Sequence, residues 1–456
     1  MRPAYFINIC SILCAIAFLG GCQSTQEQAE RSEDETIIVE EKVTIADVEQ
    51  GIRANIEAKT KDGGGYFNFS NDTSDFSLKL VRVHTEYLSV LKSNEFFACV
   101  DLATEDGDVY DMDFFLEGTK DDMKVTRTTL HKLNGKPYYT WKQQEDKTWS
   151  TVPVKGASNA LLGVIEEEDQ FRFRYEVTLP ELGGSAEMWI PIPQTDAYQT
   201  IEIVSMKLPV AEKIIQEEPY GNSILYMELK PEHSGATIAI EYDVVRVEKS
   251  AYIETSPDME QYLEAAPLLP VGDRFGVIAD EIIAEQQANT PLTKARAIYD
   301  YVTDNMRYAK QGVYGTGDAN YACDSKSGNC TEFHSFFISL ARSAGIPARF
   351  AVGAAIPSAR NEGGVDGYHC WAEFYAEGKW WPVDISEANK YAALATYYFG
   401  HHPANRIELS RGRNLTPSPM PQSGPINFLA YPVLEVEGEV DFAPTTFTYS
   451  RANIGS

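Results

Sequence analysis

Lys326-Ser327-Gly328-Asn329-Cys330-Thr331-Glu332-Phe333-His334 is the stretch on which the reading of this chain turns. A small-residue turn delivers a cysteine into the first turn of a helix. The apolar residues that follow, Phe333, Phe336, Phe337, Leu340, Ala341 and Ala344, recur at spacings of three and four, which predicts one buried stripe. Gly345 closes the helix at C′ and Pro347 prevents its continuation. Unpaired backbone N–H groups and the dipole at a helix N-terminus favour the thiolate, the nucleophilic form of cysteine. The plainer alternative is a free cysteine packed as a small hydrophobe. Partners elsewhere in the chain decide between them.

A nucleophilic cysteine needs a base within hydrogen-bond reach and a group that orients the base. Gly367-Tyr368-His369-Cys370-Trp371-Ala372-Glu373-Phe374-Tyr375 reads as a strand with His369, Trp371, Glu373 and Tyr375 on one face. Glu377-Gly378 turns the chain and Lys379-Trp380-Trp381-Pro382-Val383-Asp384 returns. With a two-residue loop Ala376 pairs with Lys379 and Trp371 faces Asp384, so Asp384 lies diagonal to His369 on the same face. A carboxylate there can accept the imidazole Nδ1–H. A register slip of one residue would send it to the wrong face. His334 is the rival base, four residues after Cys330 on nearly the same helix face. It points along the helix, and its one nearby carboxylate is Glu332. His401 and His402 read as loop residues. Trp371, Trp380 and Trp381 read as core, with an acyl tunnel as the alternative.

Four ordered motifs now stand together: Gly328-Asn329-Cys330-Thr331-Glu332-Phe333-His334, Ala344-Gly345-Ile346-Pro347-Ala348-Arg349, Gly367-Tyr368-His369-Cys370-Trp371-Ala372-Glu373 and Trp381-Pro382-Val383-Asp384. They resemble the transglutaminase-like superfamily core over about residues 270–400, extending to about 436. The papain signature Cys-Gly-Ser-Cys-Trp is absent. The resemblance implies a papain-like α+β fold, a triad of Cys330, His369 and Asp384, and a thioester on Cys330. It places an aromatic or polar oxyanion donor upstream, for which Tyr308 is the candidate beside the Cys330 backbone N–H. It implies a protein or peptide amide as substrate, with transfer and hydrolysis both open. No calcium-binding loop of the animal transglutaminase kind is visible, so no metal and no cofactor are expected.

The rest of the chain frames this core. Arg2, the apolar run Tyr5 to Phe18 and Leu19-Gly20-Gly21-Cys22 read as an export signal over 1–21. The ending resembles a bacterial lipobox, with Cys22 lipidated and the protein held at the cell envelope. Gln23 at the next position leans that reading towards the outer membrane, facing the periplasm. Residues 22–43 read as a tether rich in Gln and Glu. A formal net charge of −28 argues against nucleic-acid partners and anionic lipid surfaces. The remaining thiols, Cys99, Cys323, Cys330 and Cys370, are too few for a disulfide scaffold, although Cys323 could pair with Cys370 or block Cys330.

Residues 44–158 read as a small α+β domain, one helix followed by hairpins at Asp106-Gly107 and Asn134-Gly135, and cystatin-like in outline. Its acidic string Asp106, Asp108, Asp111 and Asp113 lacks EF-hand spacing and reads as a solvated hairpin. Residues 160–254 carry five short strands and no helix period, which predicts a β-sandwich, in a layout similar to larger transglutaminases. A proline-marked linker over 255–272 leads to the catalytic region, 273–456, whose strands Arg406–Leu409 and Asn427–Val436 are expected to extend its sheet. Arg406, Arg411 and Arg413 read as paired with nearby acids, with a substrate carboxylate as the alternative. Oligomeric state leaves no motif. Two functional classes compete: an envelope cysteine acyltransferase or amidohydrolase, and a non-catalytic binding or assembly lipoprotein on the same scaffold.

Overall fold

The computed structural model describes residues 43–451 apart from 72–73, 93, 121, 135, 138, 144–148, 154–162, 255–258, 311 and 391–393. The signal segment, Cys22, the tether up to 42 and Gly135 therefore lie outside the described residues. Residues from Val43 onward make one unit.

Helix α1, Ile45–Asp62, starts at a reciprocal capping box between Thr44 and Asp47 and buries Val48, Ile52 and Ile56. It packs on a six-stranded antiparallel meander in sequence order, Phe67–Ser70, Asp75–Lys92, Glu95–Ala103, Val109–Thr119, Asp122–Leu133 and Lys136–Pro137. Alternation sends Ala98, Val100, Leu102, Met112, Phe114 and Leu116 towards α1. The opposite face is docked by charge onto the helix Pro291–Asn305. Arg296 Nη2 lies 2.6 Å from Asp101 Oδ2, and Arg82 Nη1 lies 2.9 Å from Asp300 Oδ1. The solvated-hairpin reading of the acidic string is corrected in part. Asp106 is exposed in its turn, but Asp111 and Asp113 alternate onto the docked face and are buried.

The five strands expected in the next segment are Glu168–Thr178, Ala186–Ile192, Gln199–Lys207, Asn222–Leu229 and Thr237–Val247. They are divided between two five-stranded sheets that share a core containing Phe171, Phe173, Met188, Ile190, Ile240 and Tyr242. Both sheets are completed from the C-terminal end of the chain. Val433–Val436 pairs with Ala186–Ile192, and Thr445–Ser450 pairs with Glu168–Thr178. The expectation that 427–436 extends the catalytic sheet is corrected here. Leu434, Phe447 and Tyr449 bury their side chains in the sandwich core.

The four-stranded sheet that carries His369 is antiparallel, in the order Lys379–Val383, His369–Ala376, Ala348–Ala355, Arg406–Arg411. Helix α3, Pro291–Asn305, capped by Thr290 with Pro291 at its first position, touches this sheet, and α2, Asp273–Glu285, packs on α3 and on the central helix. A short α4, Ala319–Ser325, interrupts the expected loop because Asp318 caps it by accepting from Asn320 N–H. The long central helix α5, Cys330–Ser343, is buried on nearly every side. Its Phe333, Phe336, Phe337 and Leu340 each contribute about 1.5–3 kcal/mol of burial. Gly345 ends it at φ 76°. A last helix, α6, Ile385–Lys390, follows Asp384 directly. No helix among the described residues is long and apolar enough to cross a membrane.

Candidate active site

Two local devices present Cys330 at the start of α5. Tyr308 pairs in parallel with Gly328, and Ala309 N–H donates to the Gly328 carbonyl at 2.8 Å, so the upstream chain lies beside the turn. Gly328 has φ 157°, and a Cβ there would meet Glu332 Cβ at 2.4 Å, so only glycine lets Glu332 fold back over the turn. Asn329 caps the helix by accepting from Thr331 N–H at 2.9 Å, while Glu332 Oε2 accepts from Asn329 N–H at 3.0 Å. Glu332 Oε1 then accepts from Gly315 N–H at 2.9 Å and Gly317 N–H at 2.8 Å, which ties the preceding loop to the cysteine turn.

The hairpin has the register a two-residue loop requires, with Ala376 opposite Lys379 and Ala372 opposite Val383. It brings His369 and Asp384 together on one face. His369 Nε2–H donates to Asp384 Oδ2 at 2.7 Å. The expected nitrogen was Nδ1, and the structure corrects that detail. The charge on His369 also acts on the Cys330 thiol, and with Nε2 turned to Asp384 the Nδ1 is the ring nitrogen left over. Asp384 accepts three further bonds, from Arg406 Nη2 at 2.7 Å, Ser386 Oγ at 2.9 Å and Glu387 N–H at 3.0 Å.

Burial opposes charge on all three groups, and their mutual interactions outweigh it. Burial lowers the His369 pKa, yet the Asp384 carboxylate carries it up to about 9 against the repulsion of Arg406. Burial raises Asp384, but His369 and Arg406 hold it well below the usual carboxylate range. Burial also favours the neutral Cys330 thiol. A hydrogen bond from the Cys370 side chain, then the bond to His369 and its charge, bring Cys330 well below the ordinary thiol range. Cys370 itself is pushed far up by burial and by that bond, so it stays an S–H donor. The arrangement favours a thiolate beside an imidazolium.

Other residues singled out in the sequence fall as follows. The pairing left open for Cys323 is decided: all four described cysteines are free, and Cys370 lies 3.8 Å from His334 Nδ1. His334 is fully buried. Ile385 N–H donates to its Nε2 at 3.1 Å, so Nδ1 carries the hydrogen and donates to the Cys330 carbonyl at 2.7 Å. Burial holds its pKa below the ordinary value, and with both nitrogens occupied it is a neutral strut between the cysteine helix and the Asp384 turn. His401 and His402 lie in a loop, as read, and both are buried, the His402 ring meeting Trp371 edge-on at 5.4 Å.

Tyr308 is half-buried, with Lys390 Nζ 4.1 Å from its ring centre. Burial and then the charge of Cys330 push its ionisation up, which keeps its hydroxyl a donor near the sulfur. Of the three arginines, Arg406 is bound to Asp384 and Arg411 to Asp196 at 2.6 Å. Arg413 instead bonds neutral groups, Ser335 Oγ at 2.7 Å and Asn427 Oδ1 at 2.8 Å. The three tryptophans are core, and Trp371 lies under the Arg406 guanidinium, 5.4 Å from its ring centre. A cleft of about 480 Å³ adjoins the site, lined by Gly315, Tyr368, Ile426, Phe428 and Tyr431. Tyr368 precedes His369 and accepts from Asn329 Nδ2 at 3.2 Å, so the cleft reaches the segments that carry Cys330 and His369.

The model of the transglutaminase-like superfamily matches residues 278–385, from within α2 to the residue after Asp384. Residues 278–385 form a transglutaminase-like core. An uncharacterised protein of Haemophilus influenzae is 26% identical over 332 residues, 61% of this chain and 89% of its own length. Among solved structures, a candidate cysteine protease from Cytophaga hutchinsonii is 15% identical with a TM-score of 0.39, covering 62% of this chain and 99% of that one. A candidate protease from Parabacteroides distasonis is 12% identical with a TM-score of 0.21, covering 63% of each chain. The transglutaminase-like core is a scaffold of cysteine hydrolases and transferases in general. Its Cys330 site is separate from a second Cys, Asp and His cluster on the N-terminal sheet.

Proposed function

We propose that the protein is a cysteine acyltransferase or amidohydrolase acting on protein or peptide amides, held at the cell envelope through a lipid on Cys22. One observation carries the reading: His369 bonds Asp384 at 2.7 Å, and the imidazolium this favours in turn lowers the pKa of the Cys330 thiol. In this reaction the Cys330 thiolate attacks the amide carbon, and the carbonyl electron pair moves to oxygen. The Cys330 N–H and the Tyr308 hydroxyl donate to that oxyanion. Collapse expels the amine, which takes the proton held by the His369 imidazolium, and a thioester remains. Neutral His369 then removes a proton from water or from a second amine as it attacks, and the thiolate leaves. Asp384 and Arg406 keep the imidazole in one orientation throughout. The aromatic cleft beside Tyr368 suits an extended peptide, whose side chains pack on Phe428 and Tyr431.

The second reading, a non-catalytic envelope lipoprotein on a transglutaminase-like scaffold, is favoured by one feature: Cys330 is only 2% exposed. Incubating the protein with glutamine peptides, with and without a primary amine, separates the readings by intact mass. A thioester adduct absent in Cys330→Ala supports the enzyme, and amine incorporation against release of acid then divides transferase from hydrolase. No adduct and no product with any peptide amide would leave the scaffold reading.

A further inference from the structure

On the N-terminal sheet, three adjacent strands direct four metal-ligating side chains to one point. Cys99 and Asp113 are directly opposite across one strand pair, and Asp111 is two residues from Asp113 on the same face. His131 arrives by a different device. Asp111 pairs with Lys132 and Met112 with Leu130, so His131 is the extra residue of a β-bulge, which aims its ring at the carboxylates. Cys99 Sγ lies 3.3 Å from Asp113 Oδ1, and His131 Nδ1 lies 3.3 Å from Asp113 Oδ1 and 3.8 Å from Asp111 Oδ1. All four ligand atoms fall within 4.8 Å of one another, and all four residues are buried.

We propose that Cys99, Asp111, Asp113 and His131 bind one divalent first-row metal ion of the zinc class in a structural, four-coordinate site. Ligands held about 2.0–2.3 Å from a tetrahedral zinc are separated by about 3.3–3.8 Å, which the observed contacts match before any metal enters. The donor set, one thiolate, one imidazole and two carboxylates, suits zinc and its neighbours and excludes calcium and magnesium, which take oxygen ligands. Asp111 Oδ1 points into the cluster, buried and without a hydrogen bond among the described residues. Binding releases the Cys99 thiol proton to solvent. Three negative ligands and a divalent ion then leave one negative charge, and Lys132 Nζ, 2.6 Å from Asp111 Oδ2, balances it. Phe97 and Phe115 flank Cys99 in a small apolar cluster that excludes water from the bond to sulfur. Asp101, opposite Asp111 on the neighbouring strand, holds Arg296 of α3, so the ion would brace the face that docks on the catalytic region.

The test uses the whole protein, stripped with a chelator and titrated with cobalt(II). One equivalent should give the visible bands of four-coordinate cobalt and a sulfur-to-cobalt charge-transfer band. Zinc should displace it one for one and raise the melting temperature. The charge-transfer band should vanish in Cys99→Ser and persist in Cys330→Ala, Cys323→Ser and Cys370→Ser. Should Cys99→Ser fail to fold, the near-isosteric Asp113→Asn should weaken zinc binding at least tenfold in a protein that still melts cooperatively. Absence of saturable one-to-one binding, a band that survives Cys99→Ser, or zinc affinity unchanged in a folded Asp113→Asn would each overturn the site.

Discussion

Asp384→Asn isolates what the carboxylate does for His369, because the amide keeps the side-chain size and removes the charge. Asp384 is the main group raising the His369 pKa, from an ordinary 6.5 up to about 9 against burial. The gap between 6.5 and 9, at about 1.4 kcal/mol for each pH unit, is about 3 kcal/mol of preference for imidazolium. The amide oxygen retains part of the hydrogen bond, so a loss of about 2–3 kcal/mol, or roughly 30- to 200-fold, is expected in acyl-enzyme formation near pH 8. Two readouts apply: single-turnover thioester formation by intact mass, and the His369 imidazole titration by NMR. The titration should fall from about 9 to 6.5 or below, and the rate should fall with it. The melting temperature should also drop, since Arg406 loses its buried counter-ion. A folded variant with His369 still titrating near 9 and a rate within threefold of the parent would refute the reasoning.

Three further outcomes are expected. His369 has a raised pKa, so the stability it contributes is complete below about 6.5 and lost as pH climbs through about 9, while Asp384, being depressed, contributes above its ordinary 3.8 and loses that as pH falls. Acyl transfer and chemical stability should therefore both decline above about pH 9, read from a pH–rate profile and urea melts at matched pH. Cys370→Ala removes the S–H that supports the Cys330 thiolate, so the acid limb of Cys330 alkylation should move to higher pH. Loss of a charge-assisted bond of about 1.5–3 kcal/mol predicts a rate roughly 10- to 150-fold lower on that limb, partly restored by Cys370→Ser. His334→Ala cuts the strut between the Cys330 carbonyl and the Ile385 N–H, and should cost about 2–4 kcal/mol in urea unfolding through a cavity and two orphaned polar groups.

Local pattern made much of this legible in the sequence. The Glu377-Gly378 loop sets the register that puts Asp384 beside His369, and Asn329 with Glu332 spells a helix cap around Cys330. The parts that escaped depend on distance between remote segments. Cys370 follows His369 by one residue, and alternation turns it with Ala372 and Phe374 to the face that α5 covers, but which helix covers that face is not written in the local pattern. Arg406 is 22 residues from Asp384 and joins it only through strand order in the sheet. His334 reads as a rival base because its spacing from Cys330 is visible in the sequence, while the Ile385 amide that occupies its second nitrogen is not. The strands after residue 430 carry ordinary alternation that fits either sheet. Only the need to bury Leu434, Phe447 and Tyr449 assigns them to the sandwich, more than 200 residues upstream. The buried pair Asp111 and Asp113 misled for a related reason, since acidic alternation looks the same facing solvent or facing a docked domain.

His369 and Cys370 together hold Cys330 as a thiolate, and thiol-specific alkylation across pH reads that state out. With peptide mapping by mass spectrometry, Cys330 should label selectively and retain its rate well below the pH at which ordinary thiols stop reacting. His369→Ala should abolish that advantage in a folded protein. Equal, slow labelling of Cys99, Cys323, Cys330 and Cys370, each rising together at alkaline pH, would contradict it.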